Sequence, residues 1–112
     1  MRVEIWSDVV CPWCYIGKRR FEQAVERFGG RDDVEIVFRP YLLDPTAAPG
    51  VATPVSEVYA RKFGGPERAK QIIEHVSSIA ATAGIEFRLD RAVRANTLLA
   101  HRLLWFAEPR GV

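Results

Sequence analysis

The chain has 112 residues, 48% hydrophobic and 27% charged, with a formal net charge of +2. This is the composition of a folded domain, not of a disordered or fibrous chain. So small a charge, with no Lys/Arg cluster interleaved with aromatics, argues for no nucleic-acid partner, and no run approaches the ~18 apolar residues of a membrane span.

Met1-Arg2 leads straight into strand-forming residues, without the charged, apolar and small-residue order of a secretory signal. The expected compartment is the cytoplasm, with a mature form whose signal has been removed as the alternative. In the cytosol a close cysteine pair points to catalysis or metal binding more than to a structural bridge. Lys18-Arg19-Arg20, the densest basic run, reads as the solvated face of a helix.

Val3-Glu4-Ile5-Trp6 is β-rich and predicts a strand over residues 2 to 7, broken by Ser7-Asp8. A helix follows from Cys11 or Pro12 to Phe28, with Pro12 in the first turn, where a missing N–H costs nothing. Its apolar stripe is Cys14, Gly17, Phe21, Ala24, Val25 and Phe28. Gly17 on that stripe suggests close approach to a sheet, and Gly29-Gly30 supplies the stop. Val34 to Arg39 predicts a second strand, ended by Pro40 and extended to about Leu43. Strand, helix and strand make a βαβ unit with parallel strands and a right-handed crossover. Reacting groups in such units lie beyond the carboxyl ends of the strands, where Cys11 falls.

Asp44 to Thr53 reads as a linker. Thr53-Pro54 reads as the cap and first turn of a short helix to Phe63, closed by Gly64-Gly65. Pro66 opens a longer helix to about Ala83, whose stripe Ala69, Ile72, Ile73, Val76, Ile79, Ala80 and Ala83 is the cleanest periodicity in the chain. Ile85 to Leu89 is a short extended piece. Asn96 caps a last helix from Thr97 to about Ala107, apolar on most sides (Leu98, Leu99, Leu103, Leu104, Trp105, Phe106) and therefore expected to be buried. The fold class is α/β, a βαβ unit followed by helices. Two strands and one helix leave an open sheet edge and an uncovered face, so the sheet is expected to be incomplete.

The chemistry centres on Cys11-Pro12-Trp13-Cys14, which holds both cysteines at the junction of strand and helix. Unpaired N–H groups and the positive end of the macrodipole at a helix start favour a thiolate. Cys11 is then the attacking thiol, with a pKa below the free value of ~8.5, and Cys14, one turn inward, the resolving thiol. Pro12 and Trp13 set the local geometry and tune the couple. Asp8 either caps the helix, the favoured role, or relays protons to Cys14. Zinc held by Cys11, Cys14, His75 and His101 is the rival chemistry, disfavoured because the histidines lie on different helices without metal-ligand spacing. His75 reads as solvated. Thr97, His101 and Trp105 share a helix face that can roof the cysteines, with His101 moving protons to or from Cys11. The plainer alternative is a helix histidine bonded to a carbonyl. Trp13 is either an exposed contact for a protein substrate or packed under the helices.

Residues Ile5 to Phe21, containing Ser7-Asp8-Val9-Val10-Cys11-Pro12-Trp13-Cys14-Tyr15, resemble the signature of DsbA-like thioredoxin-fold oxidoreductases, in particular the FrnE subgroup. Arg39-Pro40, Leu43-Asp44-Pro45, Ala95-Asn96-Thr97 and Ala100-His101-Arg102-Leu103 match the same subgroup. The resemblance implies a thioredoxin-like domain with an inserted helical domain, residues 1–45 forming the N-terminal βαβ part and residues 46–112 the first part of the insert. It implies thiol–disulfide exchange, with Cys11 as nucleophile, Cys14 as resolving cysteine, and Asn96, Thr97 and His101 lining the cleft. It implies no tightly bound cofactor or metal, glutathione or another small thiol as reductant, and protein or small-thiol disulfides as partners. The same superfamily contains glutathione-dependent 2-hydroxychromene-2-carboxylate isomerases and kappa-class glutathione transferases. Those enzymes carry serine at the position of Cys11, so two cysteines favour redox chemistry. Family members run to about twice this length, so the expectation is an N-terminal half, a truncated copy. A homodimer or a second chain would complete its sheet. Its alternatives are the glutathione-dependent isomerase or transferase, and a non-catalytic fragment that binds a partner through the open sheet edge.

Overall fold

The β-branched and aromatic residues after Met1 form strand β1 (Arg2–Ser7), and the helix predicted behind them is α1 (Pro12–Arg27). The computed structural model describes residues 1–111. Strand β2 (Glu35–Pro40) returns parallel to β1, in a register that pairs Val3 with Ile36, Ile5 with Phe38 and Ser7 with Pro40. Val3, Ile5 and Ser7 are half-buried while Glu4 and Trp6 are exposed, as expected of a pleated sheet covered on one face. Pro40 ends the ladder, so the strand stops there and does not run on to Leu43.

Helix α1 starts where Pro12 needs no N–H partner and stops at Arg27, after which Phe28 turns extended. Its fully buried residue is Ile16, 1% exposed, which lies off the expected stripe. Ala24 and Phe28, both on that stripe, are exposed. Gly17 is exposed too, and a Cβ placed there would meet nothing within 4 Å, so it serves no close approach. The three- and four-residue spacing was sound, but Ile16 sits one position from Gly17 and the helix settles on its neighbouring side.

The chain divides into two compact units: residues Met1–Thr46 with the segment from Thr97 onward, and Ala47–Asn96. In the second, α2 (Val55–Phe63) and α3 (Pro66–Thr82) pack around Val55, Tyr59 and Ala69, with Ile72, Ile73 and Ala92 against them. The turn between the helices needs positive φ at two consecutive residues, +99° at Gly64 and +121° at Gly65, a region closed to side-chain-bearing residues. Thr53-Pro54 is not a helix turn. It forms a two-residue strand, β3, antiparallel to β4 (Val93–Arg94), and the Val55 N–H donates to the Ala92 carbonyl beside it. Ile85 to Leu89, expected as a short extended piece, pairs with no strand. Ile85 and Leu89 are buried, and the extended pairing falls instead at β4.

Helix α4 (Leu98–Ala107) belongs to the first unit. Thr97, not Asn96, occupies its cap position, and the Asn96 amide donates to the Ala47 carbonyl at 2.8 Å. The expectation that α4 is buried fails: Leu98, Leu99, Leu103, Leu104, Trp105 and Phe106 range from 49% to 74% exposed, and His101 is its buried residue. Hydropathy reports what a helix can bury. It does not report whether this chain supplies a surface on every side.

Candidate active site

Four elements of the first unit meet behind the cysteine pair: the end of β1, the start of α1, the segment after β2 and the first turn of α4. Past Ser7 the backbone turns, and the Cys11 N–H donates to the Asp8 carbonyl at 3.1 Å. Cys11 then takes the N-cap position of α1 with extended φ and ψ, and its Sγ accepts the Cys14 N–H at 3.4 Å. The first cysteine therefore does the capping itself, and Asp8 is not the cap expected three residues earlier. Both cysteines are half-buried free thiols. Trp13 and Tyr15, beside them, are 47% and 46% exposed, so Trp13 is not packed beneath the helices.

Asp8 is 3% exposed. Its Oδ2 accepts the Leu43 N–H at 2.9 Å, and its Oδ1 lies 3.2 Å from His101 Nε2. An ionised carboxylate only accepts, so Nε2 carries the hydrogen in this pair. The Thr97 hydroxyl and the Val10 N–H complete the set. Burial pushes the Asp8 carboxyl up, but these donors outweigh it and hold its pKa below the ordinary value. A buried charge costs several kcal/mol, on the order estimated for protein interiors, unless so surrounded. Asp8 is accordingly a fixed negative charge directly behind the thiols.

The thiols titrate as a pair. Burial pushes the Cys11 thiol up, and the adjoining Cys14 thiol adds to this, against the Cys14 and Trp13 N–H groups that pull it down. For Cys14, burial acts upward but is outweighed by hydrogen bonds from the Asp8 N–H, the Cys11 thiol and the Ser7 hydroxyl, and its pKa falls. The Asp8 carboxylate opposes that fall. The lowering expected for Cys11 is therefore not seen there, where burial acts upward, and falls on Cys14. The reason is that the donors at the end of β1 reach the inner sulfur.

Pro12 stands at the first position of α1, and Thr97 and His101 are buried on α4 at 9% and 8% exposure. Asn96 belongs to the second unit, bonded to Ala47. Four partners escaped the sequence: the Leu43 amide, the Val10 N–H, the Ser7 hydroxyl and the Asp8 N–H. Leu43 lies 35 positions from Asp8, and only the parallel pairing of β1 and β2 brings it there. Among the described residues, no group of three or more His, Cys, Asp or Glu is arranged to hold a metal ion, and no helix is long and apolar enough to cross a membrane.

A family model described as a DSBA-like thioredoxin domain matches residues 2–112. The crystal structure of a probable DsbA oxidoreductase from Streptomyces coelicolor is 43% identical to this chain, with a TM-score of 0.93. That match covers 99% of this chain and 48% of the Streptomyces chain, so the chain spans about half the length of that relative. An uncharacterized protein of Bacillus subtilis, YwbO, is 39% identical over 49 residues, 44% of this chain and 22% of the relative.

Proposed function

The chain belongs to the DSBA-like thioredoxin domain family, and from that premise we propose that Cys11 and Cys14 form the working couple of a thiol–disulfide oxidoreductase. Oxidoreductase chemistry at the level of the family is what the match and the Streptomyces structure support. The observation that carries the finer reading is the placement of two unlinked thiols at a strand-to-helix turn, with a buried carboxylate behind them.

In the reductive direction, Cys11 attacks a substrate disulfide as its thiolate, forming a mixed disulfide and expelling one substrate thiol. Cys14 then attacks the Cys11 sulfur, closing the Cys11–Cys14 disulfide and releasing the second substrate thiol. The dithiol loses two electrons and the substrate disulfide gains them. Cys11 is the attacking sulfur because it precedes the helix, whereas Cys14 sits one turn inward against Ser7 and Asp8. Trp6, Trp13 and Tyr15, close to the pair in sequence, are exposed aromatics of the kind suited to an unfolded or extended protein substrate. Glutathione or another small thiol is the proposed reductant, and the cytoplasm the proposed setting.

Equilibration of the full chain in a glutathione redox series, followed by alkylation and mass measurement, tests this. A single two-electron transition linking Cys11 to Cys14 is expected, and Cys14→Ser should trap a mixed disulfide at Cys11. Independent modification of the two thiols, with no disulfide between them at any poise, would sink the reading.

A further inference from the structure

Helix α4 is fixed by one side of its first turn, where His101 Nε2 lies 3.2 Å from Asp8 Oδ1 and both residues are buried. At about 100° per residue, Leu99, Leu103 and Phe106 stand roughly 140–200° round the helix from His101. All three are exposed, as are Leu104 and Trp105 on the flanks. Leu99, Leu103 and Phe106 are spaced four and three apart, the spacing with which a helix packs against a like helix. Ala100 and Ala107 border this seam on one side with small side chains, and Arg102 borders it on the other. The exposed area points the same way. The chain presents 8185 Å² of accessible surface, against about 6,200 Å² for a folded monomer of 12.7 kDa. Counted as two separate small folds, its two compact units would still present only about 7,500 Å². The excess, between about 700 and about 2,000 Å², spans the ~800 Å² that each partner gives to a stable interface.

We propose that two copies of this chain pair through the Leu99, Leu103 and Phe106 face of α4, with the two helices antiparallel about a twofold axis. In such an interface residue i meets residue j, and j meets i. Leu103 of each copy packs on Phe106 of the other, and the axis passes between the levels of Leu104 and Trp105. Arg102 of each copy then stands level with the last turn of the opposing helix, where unpaired carbonyls and the Glu108 carboxylate carry negative charge. A second copy is the occupant that the area fits, because the surplus surface of one chain covers that of another and the seam is complementary to itself. The outer face of the sheet is the poorer candidate: Glu4 stands there, accepting from Arg2 at 3.1 Å and from Arg39 at 2.8 Å. The seam lies on the side of α4 away from Asp8, and the pairing is independent of the redox reading above.

The test is sedimentation equilibrium of the full chain, kept reduced so that no intermolecular disulfide contributes. Between about 1 and about 200 µM the protein should pass from monomer to dimer and stop there, since a twofold interface closes on itself. Leu103→Glu should weaken the dimer at least about a hundredfold, because a charge enters the seam twice. Phe106→Lys should do the same. Mixed in equal amounts, the two variants should recover dimer, since the new carboxylate of one faces the new ammonium of the other. Both positions are exposed, so circular dichroism should be unchanged. If either variant fails to fold, Leu99→Glu on the same seam should weaken the dimer in its place. A chain that stays monomeric at the highest concentration overturns the proposal, as does growth past the dimer without a plateau. A dimer that Leu103→Glu leaves intact overturns it too, placing the contact elsewhere, for instance at the sheet edge. A mixture that associates no better than its components overturns the antiparallel pairing of Leu103 with Phe106.

Discussion

Asp8 Oδ1 lies 3.2 Å from His101 Nε2, so a residue at the end of β1 and one on the last helix form a buried hydrogen bond across 93 positions of sequence. A hydrogen bond to a buried carboxylate adds little net stability when intact and is costly to break, because the charge is left with one donor fewer. This asymmetry governs what substitutions at either end should do.

Asp8→Asn should change the acid limb of the stability curve. The folded-state pKa of Asp8 is lowered, so its contribution is present above the unfolded carboxyl pKa of about 3.9 and is lost as pH falls through the folded value. Urea unfolding near neutral pH and near pH 3 should therefore show the two proteins converging in acid. At neutral pH the variant should be weaker by about 1–3 kcal/mol. A constant difference at both values would show that the carboxylate is not ionised in the fold.

Cys14→Ala should make Cys11 more acidic. Two of the influences that raise the Cys11 thiol come from the Cys14 side chain, while the Cys14 N–H that lowers it survives the substitution. The pH profile of Cys11 alkylation by iodoacetamide should shift toward acid relative to the dithiol protein. A shift toward base would contradict the hydrogen bonding described for the pair.

Glycine substitutions should have opposite signs in the two units. Gly65→Ala places a side chain at φ +121° in the α2–α3 turn and should cost about 1–2 kcal/mol, read from the thermal midpoint. Gly17→Ala lies inside α1 with open space around its Cβ and should stabilise by about 0.5–1 kcal/mol.

Ile16→Ala removes the fully buried side chain of α1, one turn beyond the cap, and should cost about 2–5 kcal/mol in denaturant unfolding. By contrast, Leu99→Glu and Leu103→Glu on exposed α4 should alter stability by less than about 0.5 kcal/mol. They should also reduce self-association in light scattering, since an exposed apolar face drives it.

The β1–α1–β2 unit was legible because each of its signals is local: β-branched residues before Ser7, Pro12 at a helix start, Gly29-Gly30 after its end. The cysteine pair was legible for the same reason. Asp8 was misread because local spacing favoured a cap over a proton relay, while its actual partners, Leu43 and His101, are brought together by strand pairing and helix docking. Asn96 and Thr97 show the same limit at a scale of one residue. Either can cap a helix by type, and the carbonyl of Ala47 decided which one did not. The exposure of α4 was illegible in principle, because an apolar pattern carries no record of which neighbours are present.

Pro40 stands opposite Ser7 at the end of the ladder, and the next residue, Tyr41, donates its N–H to the Ser7 carbonyl at 3.1 Å. Only Leu42 separates that anchor from the Leu43 amide bonded to Asp8. The strand end therefore works as a gauge of fixed length, with one proline marking zero and the carboxylate marking the reading. One residue inserted after Tyr41 would carry the amide off its mark while leaving both strands intact, so this short span should tolerate exchange of side chains far better than any change in their number.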